Sequence, residues 1–586
     1  MKNLELAAQF DRIASLLEVL SESPFKIRAY RRIARTLLEL PEPIEDVARE
    51  GRLREIPGVG DAIAGKIEEY LSTGRIGLLE RLKQQIPEGV LELMAIPGIG
   101  ARTARLLYEQ LGVASLAELE AAARAGRIRQ LKGMGQRSEA AILEGIQQWH
   151  RQAGLHPMPY VLGPAEALAA AVQKLPGVAR VDLAGAVRRA EEMAEQAELV
   201  VAAADVAGAT GAIRVQLGAE ALLQPGPWPG TLRVSGPVAG GVTAEVLVVP
   251  PEAYAAALFF RTGPARHVEQ VSERLADRGW RWEGLRLVSS LEPEREGASV
   301  RDPSRAPASE PDMYRLAGLP WIPPELRWGE DEVERAARGE LPPRLVEVSD
   351  IVGDLHTHTV ASDGVATPEE MVEGARASGL RYLAVTDHSP SLTIARGLTV
   401  ERLRAHRQHL RALSERTGFP LLTGAEVDIR PDGTLDYPDD VLASLDWVVA
   451  SIHSHFRLDE AAQTRRLLAA CEHPAVKVLG HPTGRLLGRR EGYPVDLEAV
   501  LDRAAETGTA VEINASPDRL DLSARWARRA RALGVRIVVS TDAHSPAQLG
   551  FLRYGVLTAR HAGLAPDDLL NTRPLEELIQ SVKPHR

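Results

Sequence analysis

From residue 351 onward, short apolar runs alternate with stretches of helical period, and the runs end on side chains that can hold a metal ion. The run Ile351 to Val352 leads into Gly353-Asp-Leu-His356-Thr-His358, with Asp363 on the loop just beyond. In a strand, residues i and i+2 leave the same face, so His356 and His358 can share one cation. The same ending recurs. Asp387-His388 closes Tyr382 to Val385, Glu426 closes Leu421 to Ala425, and His453 closes Trp447 to Ile452. His481 follows Val476 to Gly480, and Asp542 and His544 follow Ile537 to Ser540. Strands separated by helices, each ending in a donor, predict a βα barrel with its chemistry at the carboxyl ends of the strands. Of the chain's 15 histidines, 12 lie in this part. Six histidines and three carboxylates at strand ends point to a metal centre rather than to a scatter of structural histidines. Their mixed nitrogen and oxygen donors suit Zn²⁺, Mn²⁺ or Fe²⁺ better than Mg²⁺.

His356-Thr-His358, Ser362-Asp363-Gly364, Thr386-Asp387-His388, Glu426, Ser451-Ile-His453, Gly480-His481-Pro482 and Asp542-Ala-His544 together resemble the PHP (polymerase and histidinol phosphatase) domain. All nine ligand positions of that family's pattern are filled. The resemblance implies a distorted (β/α)7 barrel over residues 348–586, holding up to three divalent ions that hydrolyse phosphoesters. It implies that His356, His358, Glu426 and Asp542 hold one ion. Glu426, His453 and His481 would hold a second, with Glu426 bridging, and Asp363, His388 and His544 a third. Such ions acidify a bound water and neutralise phosphoryl oxygens. Arg485, Arg489 and Arg490, just after His481, are candidate phosphate clamps, or else a solvated basic loop.

At 586 residues the chain is expected to hold several domains. One cysteine, Cys471, excludes an intramolecular disulfide framework and fits a reducing cytoplasm. No apolar run reaches membrane-spanning length, and Met1-Lys2-Asn3-Leu4-Glu5 does not read as a signal peptide. A net charge of −10 excludes wholesale electrostatic wrapping of nucleic acid, so any DNA binding must come from local sites.

Such sites are written into the first 155 residues. Ala7, Phe10, Ile13, Ala14, Leu17 and Leu20 recur at helical spacing, and Phe25 to Arg32 opens a basic helix with aromatics among its charges. Then Ile56-Pro-Gly58-Val-Gly60, Ile96-Pro-Gly98-Ile-Gly100 and Leu131-Lys-Gly133-Met-Gly135 each precede a helix. The glycines allow a tight turn whose N–H groups, with the helix N-terminus behind them, hold a phosphate oxygen without net positive charge. The three turns resemble helix-hairpin-helix motifs, which grip the DNA backbone irrespective of sequence. They divide the region into 1–84 and 85–155.

The run Pro57 to Tyr70, with Tyr30 upstream, looks like the small lyase domain of family X DNA polymerases. Lys66 falls on that family's Schiff-base lysine, and Lys26, Arg28 and Arg32 are the cations that would depress its pKa. A second family lysine position is Ala62 here. The resemblance to bacterial family X polymerases continues through Pro250 to Leu258, Thr262-Gly263, His267 and Leu316 to Leu326. It implies a nucleotidyltransferase-like α+β palm over 156–250 and a thumb over 251–335. Residues 289–312, rich in Ser, Pro, Glu and Arg, read as a flexible insertion.

The palm pattern is broken. Where the family has a Gly-Ser…Arg-Arg loop for the triphosphate, this chain has Gly185-Ala186-Val187-Arg188-Arg189. The Asp-x-Asp pair becomes Gln196-Ala197-Glu198, the third carboxylate falls on Glu245, and the aromatic that packs on the incoming nucleotide is Arg261. Glutamate for aspartate lengthens the arm by about 1.5 Å, where a ~1 Å misplacement costs on the order of a hundredfold. Gln196 supplies no anionic bridge between two metals, so Mg²⁺ or Mn²⁺ is not expected to settle here. None of these changes touches an apolar core position, so the fold should survive.

The first expectation is therefore a DNA-repair phosphoesterase. Its barrel is a 3′–5′ exonuclease that also acts on abasic sites, its helical modules hold gapped, nicked or abasic duplex, and its palm is a scaffold. Alternatives are a gap-filling polymerase taking dNTP with Glu198 and Glu245, a small-molecule phosphatase of histidinol-phosphatase type, and a non-enzymatic DNA scaffold. A cytoplasmic monomer is expected.

Overall fold

The computed structural model describes every residue except Met1, Pro41, Glu88, Ala95, Pro97, Ala153, 290–303, Ala306 and 583–586. The described chain divides into two compact units: Met1–Leu155 with Gly488–Arg490, and His156–Leu487 with Glu491–Arg586.

The first unit is helical. Helices Lys2–Val19, Pro24–Glu39, Asp61–Thr73 and Ala101–Leu111 turn apolar faces into one core that includes Phe10, Ile13, Leu37, Ile67 and Leu107. Its three glycine turns have one geometry. Val59, Ile99 and Met134 each donate an N–H to the carbonyl three residues back, at 3.0 Å in every case. Gly58, Gly98 and Gly133 lie at φ 86°, 89° and 87°, a conformation that costs an L side chain strain but a glycine none. Gly60 and Gly100 cap the following helices in extended conformation, and no atom stands within 4 Å of a Cβ built on Gly60, Gly100 or Gly135. The glycines of all three turns are exposed.

The second unit begins with a five-stranded mixed sheet: β1 (Val178–Ala184), β2 (Ala197–Ala203), β3 (Leu222–Pro225), β4 (Leu232–Pro237) and β5 (Thr243–Val249), in the order β1-β2-β5-β4-β3. Strands β2 and β5 run parallel and pair Glu198 with Glu245. Leu199, Val201, Val246 and Val248 form the core on one face, against Leu162 and Ile213.

A smaller thumb-like layer follows, built on helices Tyr254–Thr262 and Ala265–Ala276 and on the hairpin of Trp280–Glu283 with Arg286–Ser289. The expected flexible insertion is corrected at its end. Ser304–Arg305 pairs with Arg286–Ser289, and Ser309 caps helix Glu310–Leu316, in which Glu310 and Asp312 are buried. The physical reason is ionic: Arg188 and Arg327 both hold the Glu310 carboxylate, at 2.6 and 2.8 Å. Residues 290–303 of that segment lie outside the described residues.

The barrel comprises β6 (Gly353–Thr357), β7 (Tyr382–Val385), β8 (Leu421–Asp428), β9 (Trp447–Ser451), β10 (Val478–Leu479), β11 (Ala510–Asn514) and β12 (Ile537–Ser540). All seven are parallel and pair in sequence order. Strands β6 and β12 do not form a full ladder. His358 donates its N–H to the Ala543 carbonyl at 2.8 Å, and deeper in the seam the side chain of Asn571 takes the place of a strand. Its Nδ2 donates to the carbonyls of Gly353 (2.8 Å) and Val539 (2.7 Å), and its Oδ1 accepts from the Val539 N–H (3.2 Å). Among the described residues, no helix is long and apolar enough to cross a membrane.

Candidate metal centre

The nine donors converge at the carboxyl end of the barrel. Glu426 lies at the middle, its two oxygens facing different histidines. Oε2 lies 3.3 Å from His356 Nε2, 3.5 Å from His358 Nε2 and 2.9 Å from His388 Nδ1. Oε1 lies 3.1 Å from His453 Nε2 and 2.9 Å from His481 Nε2. Asp542 Oδ1 is 3.1 Å from His358 Nε2 and 3.8 Å from His356 Nε2. Asp363 Oδ1 is 3.5 Å from His388 Nε2 and 3.4 Å from His544 Nε2. The grouping is less partitioned than the sequence reading had it. His358 is shared between the Asp542 side and the Asp363 side, and His388 between Asp363 and the Glu426–His453 side.

These contacts are close but largely not hydrogen bonds. His356 Nε2, both ring nitrogens of His358, His388 Nδ1, His453 Nδ1, His481 Nδ1 and Glu426 Oε2 are buried without a hydrogen-bond partner. Orphaned buried polar atoms are costly in a protein interior unless something pairs them. Lone pairs aimed at common points from imidazoles and carboxylates are the donor set of a divalent metal, so the residues fit. Backbone strain is spent here as well: His481 and Asp542 sit at φ 29° and 55°, positive values that non-glycine residues rarely adopt.

The electrostatics agree. Burial would hold His388 neutral, but Glu426 and Asp363 overcome it and lift its pKa to about 10. Burial likewise opposes, and Glu426 and Asp428 likewise raise, His453, to about 9. His358 moves the other way, lowered by burial and by the neighbouring His388 and His544. Against the opposing effect of burial, Glu426 is held well below its ordinary range by His453, His356 and His388.

Several residues that matter to this cluster carry no ligand signal in the sequence, Asp387 standing out there only beside His388. Glu512 is fully buried, contacts His356 Nδ1 at 2.8 Å and accepts the His481 N–H at 2.7 Å. It fixes which nitrogen of His356 faces the cluster. Asn514 donates to Asp542 Oδ2 at 3.2 Å, and Asp428 stands 3.3 Å from His453 Nδ1. Asp387 holds the Asp363 loop by accepting from Thr359 N–H and Oγ1 and from Ser362 N–H and Oγ, with His406 Nε2 at 2.9 Å. Burial raises the Asp387 carboxyl but His406 outweighs it, leaving it at about 2. Strand β11, which carries Glu512, ends in no ligand and so carried no signal of the kind that marked the others. The signal it did carry is an acid in the middle of Ala-Val-Glu-Ile-Asn.

The basic loop after His481 is a correction. Arg485 is not free for a phosphate: Nε donates to the Arg519 carbonyl at 3.0 Å, Nη1 to Glu192 Oε2 at 2.8 Å, and Nη2 to the Leu520 carbonyl. Arg489 and Arg490 belong to the Gly488–Arg490 segment of the first unit.

The palm residues come together differently. Gly185, at φ 62°, opens a short helix to Arg188, and a Cβ on it would collide with the Glu198 carboxylate. The Arg261 guanidinium lies between the two carboxylates, donating from Nη2 to Glu198 Oε2 and to Glu245 Oε1. Arg233 reaches the other oxygen of Glu245 at 3.1 Å. Burial raises the Glu198 carboxyl, Arg261 lowers it, and Glu245 raises it again. Arg188 donates to Thr262 Oγ1 and Glu310 Oε2, each at 2.6 Å, and Arg189 to the Thr262 carbonyl and to Glu191. Gln196, half-buried, stands two residues before Glu198.

In the first unit, Lys66 Nζ lies 5.9 Å from the centre of the Tyr30 ring and donates to the Ala62 carbonyl at 2.8 Å. Its pKa is lowered, chiefly by burial and further by Arg81, against Glu69. The neighbouring cation is Arg81, not Lys26, Arg28 or Arg32. Lys26 pairs instead with Glu22 at 3.2 Å.

Three family models match the chain: a helix-hairpin-helix domain over residues 1–76, a SAM-like helix-hairpin-helix tandem over 90–148, and a PHP domain over 354–516. Among curated proteins, the chain is 32% identical to the DNA polymerase/3′–5′ exonuclease PolX of Bacillus subtilis, over 100% of both chains. It is also 32% identical to a probable phosphatase of Thermoanaerobacter sp. strain X514, across 38% of this chain and 91% of that protein. A probable phosphatase of Shewanella sp. strain MR-4 is 31% identical across 38% of this chain and 88% of its own length.

Proposed function

Because the chain belongs to the PolX family of bacterial DNA polymerase/3′–5′ exonucleases, we propose that its working centre is the barrel, a metal-dependent 3′–5′ exonuclease acting on DNA. The palm, in this reading, no longer polymerises. One contrast carries it. At the barrel nine donors converge, six of them carrying buried atoms without a hydrogen-bond partner; at the palm the two remaining carboxylates are already bridged by Arg261.

Zn²⁺, Mn²⁺ or Fe²⁺ ions, up to three, held by His356, His358, Asp363, His388, Glu426, His453, His481, Asp542 and His544, would supply charge for the phosphoryl oxygens and acidity for an attacking water. The chain's own part is to hold the donors. Glu512 sets the tautomer of His356, Asp387 fixes the Asp363 loop, and the strained backbones of His481 and Asp542 keep both side chains turned inward. Five of the donors, His356, His358, His388, Glu426 and His481, are buried, and Asp363, His453, Asp542 and His544 are half-buried. All nine lie on one chain, so the reading needs no second copy.

DNA would be held by the three glycine turns at Gly58/Gly60, Gly98/Gly100 and Gly133/Gly135, all exposed, whose amides can bind backbone phosphates without requiring a basic protein. Gapped, nicked or abasic duplexes are the substrates proposed, with endonucleolytic cutting at abasic sites as a second activity. Lys66, with its lowered pKa, is proposed as the amine that would form a Schiff base with an abasic sugar. A dNTP is not proposed as a partner, because Arg188 and Arg189 are engaged by Glu310, Thr262 and Glu191. The phosphatase reading rests on relatives that match the barrel alone, and the three DNA-gripping turns lie outside it.

The test is incubation of the protein with Mn²⁺ and end-labelled gapped DNA, with and without dNTPs. Primer shortening is expected in both, lost in His356→Ala and kept in Glu198→Ala. Primer extension would overturn the silent palm. Inertness toward DNA with turnover of a sugar or amino-alcohol phosphate would overturn the nuclease.

A further inference from the structure

The loop between β11 and helix Ala524–Ala532 runs past the metal cluster and is held from outside the barrel. Asn514 and Asp521 close its ends by exchanging backbone hydrogen bonds, and the Arg519 N–H returns to the Ser516 carbonyl at 2.8 Å. The next residue, Leu520, is fully buried, and it packs not in the barrel core but in the core of the palm sheet, with Leu162, Val201 and Val246. Its φ is 43°. Arg485 fastens the carbonyls of both Arg519 and Leu520 and is itself tied to palm Glu192. The other oxygen of Glu192 accepts the Ala524 N–H at 2.9 Å, and palm Tyr160 donates to Asp518 at 2.8 Å. The palm therefore holds this loop at 518, 520 and 524.

What the loop delivers to the cluster is Arg519. Asp542 turns Oδ1 to His358 and His356, and Oδ2 to Asn514 Nδ2 at 3.2 Å and to Arg519 Nε at 3.9 Å. Among the described residues that is the only carboxylate oxygen within 4 Å of the Arg519 guanidinium, whose side chain is only 19% exposed. The 3.9 Å separation is beyond hydrogen-bonding distance, so this half-buried guanidinium keeps its fork of donors open for an oxyanion beside the cluster. Three other barrel arginines near strand ends are committed: Arg430 to Asp436, Arg466 to the Ile429 and Arg430 carbonyls, Arg485 as above.

We propose that Arg519 is the side chain that receives the substrate's phosphoryl group beside the metal cluster, and that the palm's retained task is to position it. A planar fork of N–H donors matches two phosphoryl oxygens and adds a fixed charge next to Asp542. Arg519 contacts substrate; Leu520, Arg485 and Glu192 act through it. The inference rests on the barrel's being a phosphoesterase, but not on DNA as the substrate.

The experiment uses the full chain loaded with Mn²⁺. Metal content, inhibition by inorganic phosphate, protection by phosphate against thermal unfolding, and kcat and KM on bis(p-nitrophenyl) phosphate and on labelled DNA are measured for wild type, Arg519→Ala, Arg519→Lys and Glu192→Gln. Arg519→Ala is expected to raise KM and the phosphate inhibition constant at least tenfold with metal content unchanged. Arg519→Lys should recover part of the loss, and it serves as the reporter should the alanine variant fold poorly. Glu192→Gln, in a different part of the fold, should shift KM several-fold in the same direction and leave metal content alone. Unchanged phosphate affinity in Arg519→Ala, or loss of metal from Arg519→Lys, overturns the assignment. An effect of Glu192→Gln confined to kcat or to metal content overturns the positioning role. Wild type that ignores DNA yet binds phosphate through Arg519 sinks the nuclease reading and leaves this one standing.

Discussion

At Arg261 one guanidinium lies between two carboxylates that the parallel register of β2 and β5 forces side by side. Two buried like charges destabilise each other unless a cation joins them, and in this chain the helix Tyr254–Thr262 brings one. Arg261→Ala should therefore leave Glu198 and Glu245 in mutual repulsion and cost on the order of 2 kcal/mol at neutral pH. The sign with pH follows from Glu198. Its carboxyl is already raised by burial, and losing Arg261 raises it further. The penalty is then present above that raised value and relieved on acidification, so denaturant unfolding at pH 5 should show a smaller deficit than at pH 8. With the barrel metal-loaded in both proteins, further millimolar Mn²⁺ should recover part of the variant's lost stability and add none to the wild type. A variant as stable as wild type, with no response to Mn²⁺, would show that Arg261 is not standing in for a cation. Position 261 was read from the sequence as a lost aromatic; that its replacement would fold back onto the carboxylates depends on a helix and a sheet far apart in sequence, which no local pattern encodes.

At the scale of elements, the barrel was legible where its strands end in donors. Apolar runs closed by His, Asp or Glu gave β6 to β10 and β12, because a strand's end is where a barrel needs chemistry. Strand β11 was missed for want of a ligand, and Glu512 with it. The seam was invisible for another reason. Asn571 is one amide completing a sheet that two strands leave open, and a single polar residue has no periodicity. Three buried hydrogen bonds depend on it, so Asn571→Ala should destabilise the barrel by about 3 kcal/mol, the unpaired carbonyls of Gly353 and Val539 carrying most of the cost. Urea unfolding with metal present would measure this. A change under ~0.5 kcal/mol would mean that water or a closer strand approach heals the seam. In the first unit the glycine turns were legible for the opposite reason: three equal spacings impose three equal φ values.

For the whole molecule, metal and protons compete. Without metal, His388 and His453 carry charge set by their carboxylate neighbours, at about 10 and about 9. Both values are raised above the ordinary ~6.5, so the stability they give is full below that pH and is lost as pH rises through 9 and 10. Chelated protein should thus melt at lower temperature at pH 9.5 than at pH 7. Metal must displace those protons, so loading should release them, and apparent metal affinity should weaken at least tenfold between pH 8 and pH 6. Calorimetric titration in two buffers of different ionisation heat reads the proton count directly; a count of zero would contradict the arrangement of charges at Glu426. Prolonged chelation should lower the melting temperature and stop primer shortening together.

Leu520 has a consequence for how such a chain can evolve. A barrel whose loop residue is rooted in its neighbour's hydrophobic interior cannot be excised as a free-standing enzyme without leaving that root in water. Synthesis chemistry can decay around Gln196 with little penalty, but deletion of the module would slacken the grip beside the cations. Selection would then preserve an obsolete polymerase as masonry, and truncations beginning near residue 348 should retain their ions while handling substrate poorly.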